Sequence, residues 1–423
     1  MSERHGQQTD VPRILHLTAD YPDPIVPFKT QVITRLIDLV EARYDHQVIS
    51  LNRRNPALSQ IARIAVGRAS PALDSTITPL DRGACLEYLA PPRGILHATM
   101  LDSLAEWTIS RLVAQNAVPD LVIGHKLTVE GLIARSVAIA LGIPYAVTIQ
   151  GNTDQKILSF RRDLTRRFGS VYHEAACVFS FAPWARRSVE DHLGPRRGLT
   201  IDLPCPTVHD MIRPPVAGGG TLVSVFHLHN HAIKNLTGLV AAVRELASAG
   251  QPCDLRIYGS GTPEETEQCA KIIGKTPGIH LMGARTQDQL GPIMNDAVAF
   301  VMPSKRESFG LVFIEALFAG VPIIYPRNAS VDGYFDGLPF ALPVDPCSPR
   351  QIREAMRHAI ENQTALKSAL SVWQQAGGLE QFSRPAIART YGEGLDLALS
   401  MRGIAPKGGG LFRRPLSLDS CRA

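Results

Sequence analysis

The sequence predicts two doubly wound α/β domains of roughly 200 residues each, and three observations carry that reading. The chain has 423 residues, more than one core usually accommodates, so it divides. Short apolar runs alternate with helical patterns in both halves, as parallel strands joined by crossover helices require. Between the halves Pro204, Pro206, Pro214 and Pro215 cluster with Gly218, Gly219 and Gly220, the composition of a linker.

In the first half, Arg13 to Ala19 reads as a strand, Tyr21 to Pro27 as a turn and Gln31 to Ala42 as a helix, with His46 to Leu51 as the next strand. Asp120 to Ile123, the helical stretch Val129 to Leu141 and Pro144 to Ile149 repeat the alternation, and Val178 to Phe181 and Thr200 to Leu203 close this sheet. The second half restarts at Thr221 to Phe226, with a helix from Leu236 to Ala249 and a strand from Asp254 to Tyr258. Ile279 to Met282, a helix near Gln287 to Asn295, Val298 to Met302, a helix from Phe309 to Phe318 and Pro322 to Tyr325 follow. Domains are expected over 12–207 and 208–381, with a closing helix at about 382–402 returning to the first and 403–423 as a mobile tail.

Composition excludes several classes. Hydrophobic residues at 45% and charged residues at 20% are ordinary for a globular chain and argue against disorder. A net charge of +5, spread rather than massed, gives no sign of nucleic-acid binding. Seven cysteines, odd in number and without a Cys-x-x-Cys pair, fit a reducing cytosol. Met1 to Asp10 lacks an apolar signal core, and no run approaches the ~20 residues of a membrane span, so a cytoplasmic protein is expected. Arg161, Arg162, Arg166 and Arg167, interleaved with Phe160, Leu164 and Phe168, fit either a solvated helix face or a weak peripheral contact with the inner membrane face.

The most informative segment is Val301 to Pro322, where a buried strand leads through a polar loop into a helix opening at Ser308 to Gly310. Loops at the carboxyl ends of parallel strands bind ligands, and a helix start offers free amides and a dipole to a phosphate. Glu307 precedes the helix and Glu315 lies eight positions on, about 80° beyond two full turns, so both carboxylates can address one cleft and hydroxyl pairs on either side of a diphosphate. The same residues also fit plain helix roles: Ser308 as N-cap, Glu307 as dipole partner, Glu315 as a solvated side chain.

The string Glu307-Ser308-Phe309-Gly310-Leu311-Val312, then Glu315-Ala316-Leu317 and Gly320-Val321-Pro322, resembles the E-x7-E signature of the retaining glycosyltransferase family 4. The resemblance implies a GT-B fold, two Rossmann-like domains facing an interdomain cleft, and transfer from a nucleotide-diphosphate-sugar. It implies that Glu307 contacts the donor sugar, Glu315 the ribose hydroxyls, and the Ser308, Phe309, Gly310, Leu311 and Val312 backbone the diphosphate. Tyr258-Gly259-Ser260-Gly261 resembles the family's strand-ending Gly-x-Gly, and Ile279 to Gly283 its base pocket. Lys234 matches the lysine that neutralises the diphosphate; the accompanying arginine is missing, with His227 and His229 nearby. Gln150-Gly151 stands where relatives have His-Gly contacting the donor sugar. The resemblance implies transfer on one face with the leaving phosphate assisting deprotonation, a route that does not require that histidine.

His125, at a strand's carboxyl end, reads as a structural histidine before an acceptor contact, and Lys29 as a surface lysine before a phosphate ligand. No His/Cys cluster or Asp-x-Asp pair has metal-ligand spacing, so neither a metal nor another cofactor is expected. The partners implied are a nucleotide-sugar and an acceptor whose class, polysaccharide, lipid-linked or small, is left open. Two rivals share the scaffold: a nucleotide-sugar epimerase or hydrolase, and a non-catalytic nucleotide-sugar binder.

Overall fold

The computed structural model describes residues 11–402 apart from 56, 58, 60–76, 92, 93, 95 and 218; the expected mobile tail, 403–423, lies outside the described residues. The chain forms two compact units. One runs to Phe181 and takes up again over Ser188–Leu203 and from Ala388; the other comprises Ala182–Arg187 and Pro204–Ile387.

The first unit is built on β1 (Arg13–Thr18), β2 (Asp45–Arg54), β3 (Thr78–Leu80), β4 (Gly83–Leu89), β5 (Leu121–His125), β6 (Tyr145–Ile149), β7 (Cys177–Ser180) and β8 (Thr200–Asp202). They form one sheet in the order β3-β4-β2-β1-β5-β6-β7-β8. All neighbours are parallel except β3, an antiparallel edge strand, and neither β3 nor the parallel β4 was among the expected strands. β5, β6 and β7 are buried along their whole length, as apolar runs covered on both faces must be. The second unit carries β9 (Thr221–Val225), β10 (Asp254–Tyr258), β11 (Ile279–Gly283), β12 (Ala299–Val301), β13 (Ile323–Pro326) and β14 (Ala341–Val344) in the order β11-β10-β9-β12-β13-β14, parallel throughout.

Two local readings change. The helix expected over Gln31 to Ala42 is a helix Val32–Asp38 followed by a 3-10 turn Glu41–Arg43. The arginine run does not lie on one helix: Asn152–Phe160 ends at Arg161, and a new helix starts at Thr165. Arg161 then pairs with Asp163 and Arg167 with Asp102, which matches a solvated face more closely than a free basic surface.

Three histidines cross the first sheet diagonally. Register sets Ile14 beside His46 and Thr18 beside His125, so His46, His16 and His125 lie on one face of three adjacent strands. His16 Nδ1 lies 3.0 Å from His125 Nε2, and His16 Nε2 lies 2.9 Å from His46 Nδ1. Burial pushes all three down, His46 to about 4 and His125 to about 3; the fields of His125, His46 and Arg82 depress His16 further. Because the folded values lie below the unfolded value near 6.5, the unfolded chain takes up protons that the fold refuses. Stability is therefore undiminished by these groups above pH 6.5 and falls as pH drops toward 4, by up to ~1.4 kcal/mol per pH unit for each imidazole. Urea midpoints at pH 7.5 and 5.0 measure the loss, and imidazole ¹⁵N shifts check its cause: these rings stay neutral at pH 5.5, and charged rings there refute the explanation.

Candidate active site

In the second sheet β9 and β12 are neighbours, yet the chain leaves β9 for β10 on one side and β12 for β13 on the other. Connections that diverge in this way leave a gap at the carboxyl ends, where such sheets take ligands. Hydrogen bonding past the strand ends keeps the loops in place: Phe226 N donates to Tyr258 O (2.9 Å), Leu228 N to Ser260 O (2.8 Å) and Gly259 N to Gly283 O (3.1 Å). Gly259 is required for that approach, since a Cβ there would stand 1.8 Å from Phe226 O.

The loop after β9 turns through Leu228–Asn230 and delivers Lys234, whose N donates to Asn230 O at 2.8 Å. Asn235 follows in the left-handed region at φ 63°, tolerable for asparagine, and its Oδ1 accepts from Gly238 N to cap the helix Leu236–Ser248. Its Nδ2 donates to Pro303 O (3.1 Å) and Pro346 O (2.7 Å), binding the Lys234 loop to the loop after β12. Lys305 N donates to Ile233 O (2.8 Å) across the same seam.

That second loop carries Glu307. Gly310, at φ +74°, starts the helix Leu311–Phe318, which is apolar almost all round and buried on most sides. Ser330 supports the loop from below: its N donates to Glu307 O (3.1 Å), its Oγ to Phe309 O (2.8 Å), while Trp184 Nε1 donates to Ser330 O (2.8 Å). Lys234 Nζ donates to Glu307 Oε2, with both side chains mostly buried. The structure therefore brings together Lys234, Glu307 and the helix start at Ser308, Phe309, Gly310, Leu311 and Val312.

Other candidate residues keep different company. Glu315 is half-buried, accepts from Gln287 Nε2 at 3.4 Å and lines a pocket of about 70 Å³ with His209, Arg213 and Met294. His229 is largely exposed and bonds through Nδ1 to Glu265 Oε1 at 2.9 Å, beside the Thr262 capping box. Gly261 packs its backbone on Leu228, and the Gly283 carbonyl holds Gly259. Gln150 and Gly151 belong to the first unit, at the end of β6: Gln150 Nε2 donates to Thr148 Oγ1 (3.4 Å), and Gly151 at φ +110° opens the helix Asn152–Phe160. Lys29 is no surface lysine; it pairs with the buried Asp23 at 2.6 Å. His125 is fully buried, its Nε2 3.0 Å from His16 Nδ1 and its Nδ1 without a hydrogen-bond partner.

Asn235, Ser330 and Trp184 were not singled out from sequence. An asparagine directly before an apolar helical run is an N-cap signal that could have found Asn235. Ser330 and Trp184 act through contacts remote in the chain, and no local pattern marks them.

Residues 219–362 match the family model for group 1 glycosyl transferases. Over 168 residues the chain is 31% identical to a D-inositol 3-phosphate glycosyltransferase of Streptomyces bingchenggensis, a match spanning 38% of this chain and 34% of that relative. The chain thus spans about a third of that curated relative's length. Among solved structures, a sucrose-phosphate synthase from Thermosynechococcus elongatus superposes with a TM-score of 0.62 at 16% identity, covering 92% of this chain and 99% of that one. HepE of Anabaena, solved with UDP, gives 0.61 at 14% identity over 91% and 99%. A UDP-forming α,α-trehalose-phosphate synthase of Burkholderia xenovorans, solved with glucose-6-phosphate, gives 0.60 at 11% over 91% and 100%. These likenesses are of fold, and the fold is GT-B, with two Rossmann-like sheets.

Asn235→Ala removes the cap, leaves the Pro303 and Pro346 carbonyls without their donor and places alanine at a positive φ. A loss of about 2–3 kcal/mol is expected, read from the urea midpoint at constant slope; an unchanged midpoint contradicts the role given to this side chain.

Proposed function

We propose that this chain is a retaining glycosyltransferase of the cytoplasm, moving a sugar from a nucleoside-diphosphate donor to an acceptor hydroxyl. The observation that carries the reading is the Lys234–Glu307 pair, set at the switch point of the second sheet beside the start of a buried helix. A mostly buried lysine and carboxylate without partners would be costly, and here each satisfies the other. A bound donor offers each a better match. The diphosphate takes the amides at Phe309 to Val312 and the charge of Lys234, and Glu307, released, accepts hydrogen bonds from the sugar's hydroxyls.

Bond changes then follow on one face of the sugar. The bond from the anomeric carbon to the diphosphate oxygen breaks as the acceptor oxygen bonds to that carbon, and the acceptor's proton passes to the departing phosphate. Negative charge grows on the diphosphate, where Lys234 and the helix dipole are already placed. Glu315 serves the ribose hydroxyls once it gives up the long contact with Gln287. The charge on the diphosphate is met by amides and lysine without a metal. UDP is the first nucleotide to try, since HepE was solved with UDP and the trehalose-phosphate synthases are UDP-forming.

A thermal-shift panel of UDP-, GDP- and ADP-sugars identifies the donor by the rise in Tm that a ligand of the native state gives. With that donor, Lys234→Ala and Glu307→Ala are each expected to lower turnover by about 10²-fold or more in protein that stays folded, with Tm lowered by the partner left unpaired. Wild-type rates in both variants sink the assignment.

A further inference from the structure

The first sheet repeats at its own switch point the arrangement found in the second. β1 and β5 are neighbours whose chains leave in opposite directions, toward β2 and toward β6. Asp20 follows β1 and Lys126 follows β5, and their side chains pair at 2.5 Å, 24% and 12% exposed. Glu130, fully buried, accepts from Ala19 N at 2.8 Å through Oε1, while Oε2 is buried with no partner. Lys126 sits at φ +118°, a conformation that only glycine adopts at low cost, and its carbonyl is fixed by Gly131 N at 2.9 Å.

A structural role explains Asp154 in this cluster: Oδ1 accepts from Thr128 N and Oγ1, and Oδ2 from Gln150 N. It explains neither the idle Glu130 oxygen nor the strained Lys126. Orphaned buried polar atoms and sparsely populated backbone at a sheet's switch point mark binding sites.

We propose that Asp20, Lys126 and Glu130 form a second binding site, for an uncharged polyhydroxylated ring. If the chain is the transferase argued above, that ring is the acceptor. Hydroxyls both give and accept hydrogen bonds, and this site offers both: Asp20 accepts and Lys126 donates. Burial also raises the Glu130 carboxyl to about 8 against the pull of Lys126, which leaves it protonated and able to donate near neutral pH. An anion fits poorly. The charge of Lys126 is matched by Asp20, the Asp154 carboxyl adds acid, and Arg53 is held by the carbonyls of Ala90 and Pro91.

Saturation-transfer NMR on the full chain, with and without UDP, tests this with myo-inositol, D-glucose and methyl α-D-mannoside against D-glucose 6-phosphate. At least one neutral ring is expected to receive transfer, with its affinity cut about tenfold in Asp20→Asn and in Glu130→Leu but kept in the isosteric Glu130→Gln, whose amide donates as the protonated acid does. If Glu130→Leu fails to fold, Asp20→Asn, on a partly exposed side chain, decides alone. Transfer to none of the neutral rings, transfer undiminished in Asp20→Asn, or stronger transfer to D-glucose 6-phosphate overturns the site. Nucleotide binding, with GDP and ADP run beside UDP, reports on the second unit separately: rings bound while none of the three binds overturn the transferase reading and support this site, whereas a nucleotide bound without rings overturns this site alone.

Discussion

A parallel sheet whose connections diverge leaves a gap at the carboxyl ends of two neighbouring strands, and whatever fills that gap must come from the loops that follow them. In the second unit those loops deliver Lys234 and Glu307, and the bond between the two is the point on which the proposed chemistry turns. The pair is useful only if it is held. Asn235 ties one loop to the other through Pro303, and Ser330, itself anchored by Trp184, fixes the carbonyls of Glu307 and Phe309. The backbone that carries the two side chains thus has its hydrogen bonds already made.

The first unit shares the topology with a different interior. His46, His16 and His125 link three central strands through their ring nitrogens, and the last of them directly precedes Lys126. The lysine's field helps hold His125 neutral, after burial, so a proton entering the histidine row would press on the Asp20–Lys126 pair. Acid sensitivity of the core and of the first switch point are therefore physically joined.

The doubly wound architecture was legible because buried parallel strands are written as short uninterrupted apolar runs, and β5, β6 and β13 stand where those runs predict. The antiparallel β3 escaped notice because a three-residue edge strand has no period to detect. The arginine run misled, since continuous charge spacing hides a break such as the one at Arg161, which depends on φ and ψ rather than composition. At the candidate site, residues adjacent in sequence to a strand's end could be picked out, Glu307 and Lys234 among them. Partners such as Ser330, 23 positions beyond Glu307, could not, because a serine inside a turn looks alike whether it supports a carbonyl or faces water.

Two lysine–carboxylate pairs on one topology raise the question of how a single fold would take the two unlike ligands proposed, and local electrostatics bears on it. At the second switch point the pair stands next to a helix start, whose amides and dipole add positive potential, so a ligand that displaces Glu307 from Lys234 gains most by being an anion. At the first, Asp20 already matches the charge of Lys126, Asp154 adds acid, and the Glu130 carboxyl, kept protonated by burial, offers a hydroxyl in place of charge. A phosphate entering there would meet carboxyls before it met a free cation, whereas a hydroxyl would find donors and acceptors at once. On the two proposals, the same backbone geometry favours an anion in one unit and a neutral ring in the other, through residues that the strand pattern leaves free to vary.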